Sequence, residues 1–145
     1  MLLLSVVLFL VGCNGETEVT DEDIKKMAGG DMKETVPVSG TVLIGGSPAA
    51  GVDIYAYTEA SGVEPAARTS TKPDGTYCWT TYKLCDGLVP GSYRLAFAHF
   101  TKHGKGNDEG EDALGGKYRN PFENEFLLEV KSAQPQTEVD YTLEK

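Results

Sequence analysis

Two histidines are the residues whose chemistry could first suggest a catalytic or metal site. His99 and His103 are four residues apart, a spacing that suits a helix. On an extended strand the same spacing separates them by about 13 Å, too far to share one metal ion. No serine lies in a G-x-S-x-G motif. We therefore predict no catalytic residue, no metal and no cofactor, with a small hydrolase built on either histidine as the enzymatic alternative.

A second candidate site is the glycine-rich, acidic segment at residues 101–119. Its polar side chains are Asn107, Asp108, Glu109, Glu111 and Asp112. Such oxygen ligands suit calcium, but the D-x-D-x-D-G pattern with its later glutamate is missing. We predict a solvated loop. Because long loops on rigid β-sandwiches often carry binding sites, this loop is also our first choice of ligand-contacting surface. Calcium binding stays the open alternative.

Residues 1–12 contain an uncharged apolar run that ends in Leu10-Val11-Gly12-Cys13. A bilayer span needs about 20 apolar residues, so this shorter run fits the core of an export signal. Its end resembles the lipobox of bacterial lipoproteins. That resemblance implies removal of the signal peptide and a lipid on Cys13, with acyl chains such as palmitate. The lipid would anchor the protein in the cell membrane or outer membrane, facing the periplasm or the exterior. The alternative is an apolar strand with an ordinary buried cysteine.

Cys78 and Cys85 remain once Cys13 carries lipid. In an exported protein an even remainder of cysteines predicts a disulfide. The alternative is a metal site, but C-x6-C without paired histidines does not have the spacing of zinc ligands. We therefore predict a cystine that closes a small loop.

Residues 13–37 predict a flexible acidic linker behind the lipidated cysteine. They are rich in Asp, Glu and Lys and poor in apolar residues, so they cannot bury enough surface to offset the entropy of ordering. One short helix is conceivable within them. Thr20 would be its N-cap, with Asp23 at the third helical position.

Residues 38–145 predict a single all-β domain. Seventeen glycines and seven prolines punctuate the chain between short apolar runs, which favours strands over helices. Seven strands are predicted, at residues 38–44, 52–57, 66–71, 76–81, 92–98, 125–131 and 138–143. The first two and the next two are expected to form hairpins, the latter across a Lys72-Pro-Asp-Gly75 turn. Val52, Ile54 and Ala56 should share one face, and the domain needs no helix.

The segments VSGTV at 38–42, GVDIY at 51–55, TKPDGTY at 71–77 and VPGSYRL at 89–95 together resemble the carboxypeptidase regulatory-like domain. The resemblance covers residues 38–144. It implies a seven-stranded, Greek-key-like β-sandwich of the transthyretin (prealbumin) type. In metallocarboxypeptidases this module is an accessory to a separate catalytic domain. A related hydrolase branch ends in Tyr-Arg-Gly-Ser, whereas this chain ends with Tyr141-Thr-Leu-Glu-Lys145.

The aromatic residues offer a further hypothesis, an exposed platform for sugar rings. Its candidates are Tyr55, Tyr57, Tyr77, Trp79, Tyr82 and Tyr93, most of which we expect in the core. Tyr55 and Tyr57 alternate with Ile54 and should face outward.

Charge narrows the range of partners. The net charge of −9 comes without a Lys/Arg cluster, which argues against nucleic acid. The leading hypothesis is a non-enzymatic, lipid-anchored binding or scaffolding module of the cell envelope, with an envelope protein or a glycan as partner. A carbohydrate-binding module and a small hydrolase are the alternatives.

Overall fold

The computed structural model describes residues 19–101 and 110–145. The chain divides into two compact units, Met1–Asp31 and Met32–Lys145. Within the first unit, helix α1 (Asp21–Met27) begins after Thr20, whose side chain accepts from the Asp23 N–H while the Asp23 side chain accepts from the Thr20 N–H. The predicted N-cap is thus confirmed. Across the described residues, no helix has the length and apolar character needed to cross a bilayer.

The second unit consists mainly of eight short strands. They are β1 (Ser39–Ile44), β2 (Ser47–Pro48), β3 (Asp53–Tyr57), β4 (Ala67–Ser70), β5 (Thr76–Cys78), β6 (Gly91–Ala98), β7 (Leu127–Val130) and β8 (Tyr141–Leu143). A single 3₁₀ turn, Glu59–Ser61, follows β3. The strand that the sequence did not predict is β2, which lies between the first two predicted strands. The all-β class is confirmed, whereas the described residues form eight strands and not the seven predicted.

The strands form two four-stranded sheets. In the first sheet β1 pairs antiparallel with β2 and β5, and parallel with β8. The second sheet has the order β4-β3-β6-β7, with every neighbouring pair antiparallel. The arrangement is that of an all-β sandwich.

Both predicted hairpins are wrong because their strands lie in different sheets. β1 turns back at once to pair with β2, and β3 begins the second sheet. The turn after β4 forms as predicted, with the Gly75 N–H donating to the Lys72 carbonyl over 2.8 Å. However, this turn carries the chain from β4 in the second sheet to β5 in the first. A turn motif fixes local chain reversal, whereas strand pairing depends on partners far away in sequence.

The core lies between the sheets and combines aliphatic side chains with a cluster of aromatic rings. Phe97 packs edge-on against Phe126 and Tyr141, with ring centroids 5.1 and 5.3 Å apart. Tyr77 stacks on Tyr141 and donates its hydroxyl to the Val139 carbonyl. Burial raises the pKa of Tyr77, and raises that of Tyr141 to about 12, so both phenols stay neutral at physiological pH.

The predicted buried face of residues 52–56 is confirmed, and the last strand alternates in the same way. Val52, Ile54 and Ala56 are fully buried, on the inner side of the second sheet. In the last strand Tyr141 and Leu143 are buried and the residue between them is exposed. Side chains of one strand alternate between its faces, so these positions mark the side that meets the core.

The chain enters the second unit through a close backbone contact. Val36 and Leu88 exchange backbone hydrogen bonds of 2.8 and 3.0 Å. Gly87 makes the approach possible, since a Cβ there would lie 1.7 Å from the Val36 carbonyl oxygen. Its φ of +99° also falls in the region that L-residues rarely adopt.

Replacing Gly87 with alanine should therefore destabilise the domain strongly. We expect Gly87→Ala to lower the free energy of unfolding by about 2–5 kcal/mol, from backbone strain and steric overlap together. Gly46→Ala is the matched control, because Gly46 has a φ of +83° but nothing near its missing Cβ. The control should lose only the strain, about 1–2 kcal/mol. Equal losses in urea unfolding would refute the close-contact explanation.

Candidate binding site

The outer face of the second sheet carries a row of three side chains. Tyr57 on β3 lies opposite Arg94 on β6, and Arg94 lies opposite Leu127 on β7. Their neighbours along β6, Tyr93 and Leu95, are buried. Period-two alternation therefore places the row on the side of the sheet that faces away from the core.

This row forms the floor of a groove of about 480 Å³. We call it the Arg94 groove; it is lined by Tyr57, Thr58, Glu59, Ser92, Tyr93, Arg94, Phe122, Leu127 and Glu129. Its volume lies within the range of about 300–1,000 Å³ typical of small-molecule sites. Two apolar side chains are exposed in it, since Phe122 is 69% and Leu127 61% exposed.

Phe122 is exposed yet held in place. Its backbone N–H donates to the side-chain oxygen of Asn120 over 3.0 Å, which shapes the turn it occupies. Asn124 then ties this turn to the sheet, because its side-chain amide donates to the Leu95 carbonyl over 2.9 Å and to the Asn120 carbonyl over 3.1 Å. The Phe122 backbone is thus anchored to β6.

The Arg94 guanidinium lies over the Phe122 ring, 5.6 Å from its centroid. A cation placed over an aromatic face gains about 0.5–1 kcal/mol at an exposed site. The contact orients Arg94 and leaves guanidinium N–H donors for a ligand. Glu59 and Glu129 add carboxylate acceptors, and Ser92 adds a hydroxyl that both donates and accepts. The groove therefore combines apolar surface with donors and acceptors.

A second arginine–aromatic pair lies on the same sheet. Arg68 on β4 is opposite Tyr55 on β3, and its guanidinium lies 5.9 Å from the ring centroid. Tyr55 and Tyr57 are half-buried and face outward, as predicted. The outer face of this sheet thus carries aromatic surface beyond the groove itself.

The other aromatic candidates are less exposed. Tyr77, Trp79 and Tyr93 belong to the core. Tyr82 is half-buried, and its hydroxyl accepts from the Lys33 N–H. Half of the six thus lie in the core, in line with the expectation that most would, and two of the six line the groove, the half-buried Tyr57 and the buried Tyr93.

The acidic loop is described only in part. Asn107, Asp108 and Glu109 lie outside the described residues, as does His103. Glu111 is exposed. Asp112 accepts hydrogen bonds from the backbone N–H groups of residues 99, 114 and 116, at 2.9–3.0 Å. Its carboxylate therefore holds the base of the loop together.

His99 makes its contact with Asp112 through its backbone N–H, and it is not among the residues that line the Arg94 groove. Within residues 19–101 and 110–145, no group of three or more His, Cys, Asp or Glu side chains could hold a metal ion.

Two of the three cysteines lie among the described residues. Cys13, the predicted lipidation site, lies outside them. Cys78 and Cys85 form a disulfide, with Cα atoms 5.3 Å apart. The backbone N–H groups of residues 81–83, inside the loop it closes, donate to the carboxylate of Asp86, which directly follows that loop. The disulfide and this carboxylate together order the segment that follows β5.

Sequence reasoning missed Arg94, Phe122 and Leu127. The alternation within SYRLAFA did contain a clue, because burying Tyr93 and Leu95 puts Arg94 on the outer face. Nothing local indicates that Phe122 lies over Arg94, since the contact joins residues 28 positions apart in the chain (122 − 94 = 28).

The chain matches no protein-family model, and none of the curated proteins compared with it is significantly similar.

The role of Asp112 predicts a pH-dependent stability. Partial burial acts to raise the pKa of Asp112, but the three backbone N–H donors and the charge of Arg119 outweigh it and lower the pKa. A lowered pKa in the folded state means that the stabilisation is present above the unfolded pKa of about 3.9 and is lost as the pH falls through the folded value.

We expect Asp112→Ala to lower the free energy of unfolding by about 1–2 kcal/mol at pH 7, because three N–H groups lose their charged acceptor. The difference from the wild type should shrink as the pH falls below about 4. Urea unfolding across that pH range measures it, with the exposed neighbour Glu111→Ala as control. A difference that stays constant down to pH 2 would contradict the role of the carboxylate.

Proposed function

We propose that this protein is a non-enzymatic, lipid-anchored binding module of the bacterial cell envelope, and that the Arg94 groove is its contact surface. The observation that carries the proposal is the exposure of Phe122 and Leu127 beside an oriented Arg94 on the face of a sheet. Apolar side chains flanked by aimed polar groups are typical of ligand sites. Strands also position such groups more accurately than loops do.

The anchor in this proposal is Cys13, with residues 13–37 as the tether and residues 1–12 as the removed signal peptide. The lipobox-like end of the apolar run supports it. Two acyl chains suffice for stable anchoring, whereas one is marginal. The proposal places the domain on the periplasmic or outer side of the cell membrane or outer membrane.

The domain itself is proposed to be a carboxypeptidase regulatory-like, Greek-key β-sandwich. The order of its four sequence motifs supports this, and so does the arrangement of eight strands in two sheets. Such a module presents a binding surface on a rigid support and requires no catalytic residue.

Intact mass tests the anchor. Protein from the membrane fraction should have the mass of a chain starting at Cys13 plus acyl groups, with two thiols that react with an alkylating agent only after reduction. Cys13→Ser should remove the acyl mass and the processing together. An unprocessed wild-type chain with three free thiols would contradict both export and anchoring.

Retention on envelope material tests the binding surface. Envelope material stripped of lipid by detergent removes the contribution of the anchor, so that only the domain can bind it. The double variant Phe122→Ser/Leu127→Ser should bind at least about tenfold less than the wild-type protein, because two exposed anchor side chains are lost.

Val63→Ser/Leu84→Ser is the matched control, since these residues are 92% and 87% exposed outside the groove. It should bind like the wild type. Equal retention of both double variants would refute the groove as the contact surface, and so would a wild-type protein that does not bind at all.

A further inference from the structure

The chemistry of the Arg94 groove narrows the class of ligand. Its apolar part consists of one aromatic ring, Phe122, and one aliphatic side chain, Leu127, both exposed. Tyr57 lies in the same row across the strands. This surface extends across three strands on one face of the sheet, and it favours a flat ligand with an apolar face over a bulky apolar side chain.

The polar part of the groove offers both kinds of hydrogen-bonding group. Arg94 can only donate, whereas the ionised carboxylates of Glu59 and Glu129 can only accept. Hydroxyl groups do both, so a ligand carrying several neighbouring hydroxyls can satisfy all three side chains. The two carboxylates outnumber the guanidinium, which disfavours a phosphate or another strongly anionic ligand.

A peptide fits this site less well. Extended peptides usually bind by adding a strand to a sheet edge, where backbone groups are unpaired. The groove instead extends across the face of β3, β6 and β7, and not along the outer edge of β7 where a strand could be added. A peptide helix would need a continuous apolar groove, whereas Arg94 interrupts this one.

We propose that the Arg94 groove binds a neutral oligosaccharide of β-linked, gluco-configured pyranose rings. With its substituents equatorial, such a ring presents axial C–H groups on its faces and hydroxyls at its rim. A ring face packs on Leu127 and on the part of the Phe122 ring that Arg94 does not cover, and the rim hydroxyls bond Arg94 and the flanking carboxylates. This inference rests on the proposed function of the groove and adds the class of ligand.

Calorimetric titration with chitotetraose and with cellotetraose tests the inference. The protein is the mature lipidated chain, held in a detergent without a sugar headgroup so that the detergent does not compete. We expect the wild type to bind at least one of the two, and Phe122→Ala to raise the Kd at least about tenfold. Val63→Ala, which removes an exposed side chain outside the groove, should leave the Kd unchanged. Thermal unfolding checks that both variants are folded.

The outcomes separate the inference from the proposed function. No heat of binding with either sugar, or equal affinity of wild type and Phe122→Ala, overturns the oligosaccharide. If the groove variants still lose retention on lipid-free envelope material, the groove remains a binding surface for another ligand. Protease treatment of that material should leave retention intact for a glycan partner, and its loss would point to a protein.

Discussion

Thr71 has a buried side chain and lies where the chain crosses from the second sheet to the first. Both sheets depend on the hydrogen bonds that it makes there. Its hydroxyl accepts from the Val52 N–H over 2.9 Å and donates to the Ala49 carbonyl over 2.6 Å. Its backbone N–H donates to the Val52 carbonyl, and its carbonyl accepts from the Gly51 N–H. Four hydrogen bonds thus fix the place where the chain leaves one sheet for the other. Because an unpaired buried polar group costs about 1–3 kcal/mol, this crossing is strongly specified.

The place where the chain crosses between the sheets determines which faces of the strands of the second sheet remain uncovered. With β4 and β7 at its edges, β3 and β6 lie in the interior of the second sheet, and Arg94 is paired on both sides, with Tyr57 and with Leu127. Tyr57 and Arg94 therefore belong to well-supported strands. Phe122 lies outside the strands, but Asn124 ties its turn to β6. The result is a site whose main groups are ordered before a ligand arrives, which lowers the entropic cost of binding.

Sequence reasoning succeeded where structure is decided locally. The capping box at Thr20, the turn at residues 72–75 and the buried face of β3 each depend on residues within a few positions of one another. It failed on pairing, because β1 finds its parallel partner β8 about 100 residues further along the chain. The choice between a hairpin and a crossing after Thr71 depends on such distant partners, and no turn motif encodes it.

Prediction of the groove from the sequence is limited in the same way. Alternation in β6 could have placed Arg94 outside, but only the folded structure brings Phe122 over it.

The net charge of the chain further limits which ligands can reach the groove. The chain carries a net charge of −9, so an anionic polymer would meet repulsion over about the 8 Å screening length of physiological salt before it reached the groove. A neutral ligand meets no such barrier. At contact distance the same charged groups act as hydrogen-bond partners, and charged donors and acceptors form stronger bonds than neutral ones. The net charge of the chain and the two carboxylates beside one guanidinium therefore favour the neutral, hydroxyl-rich ligand that we propose over the phosphates that an isolated arginine would attract.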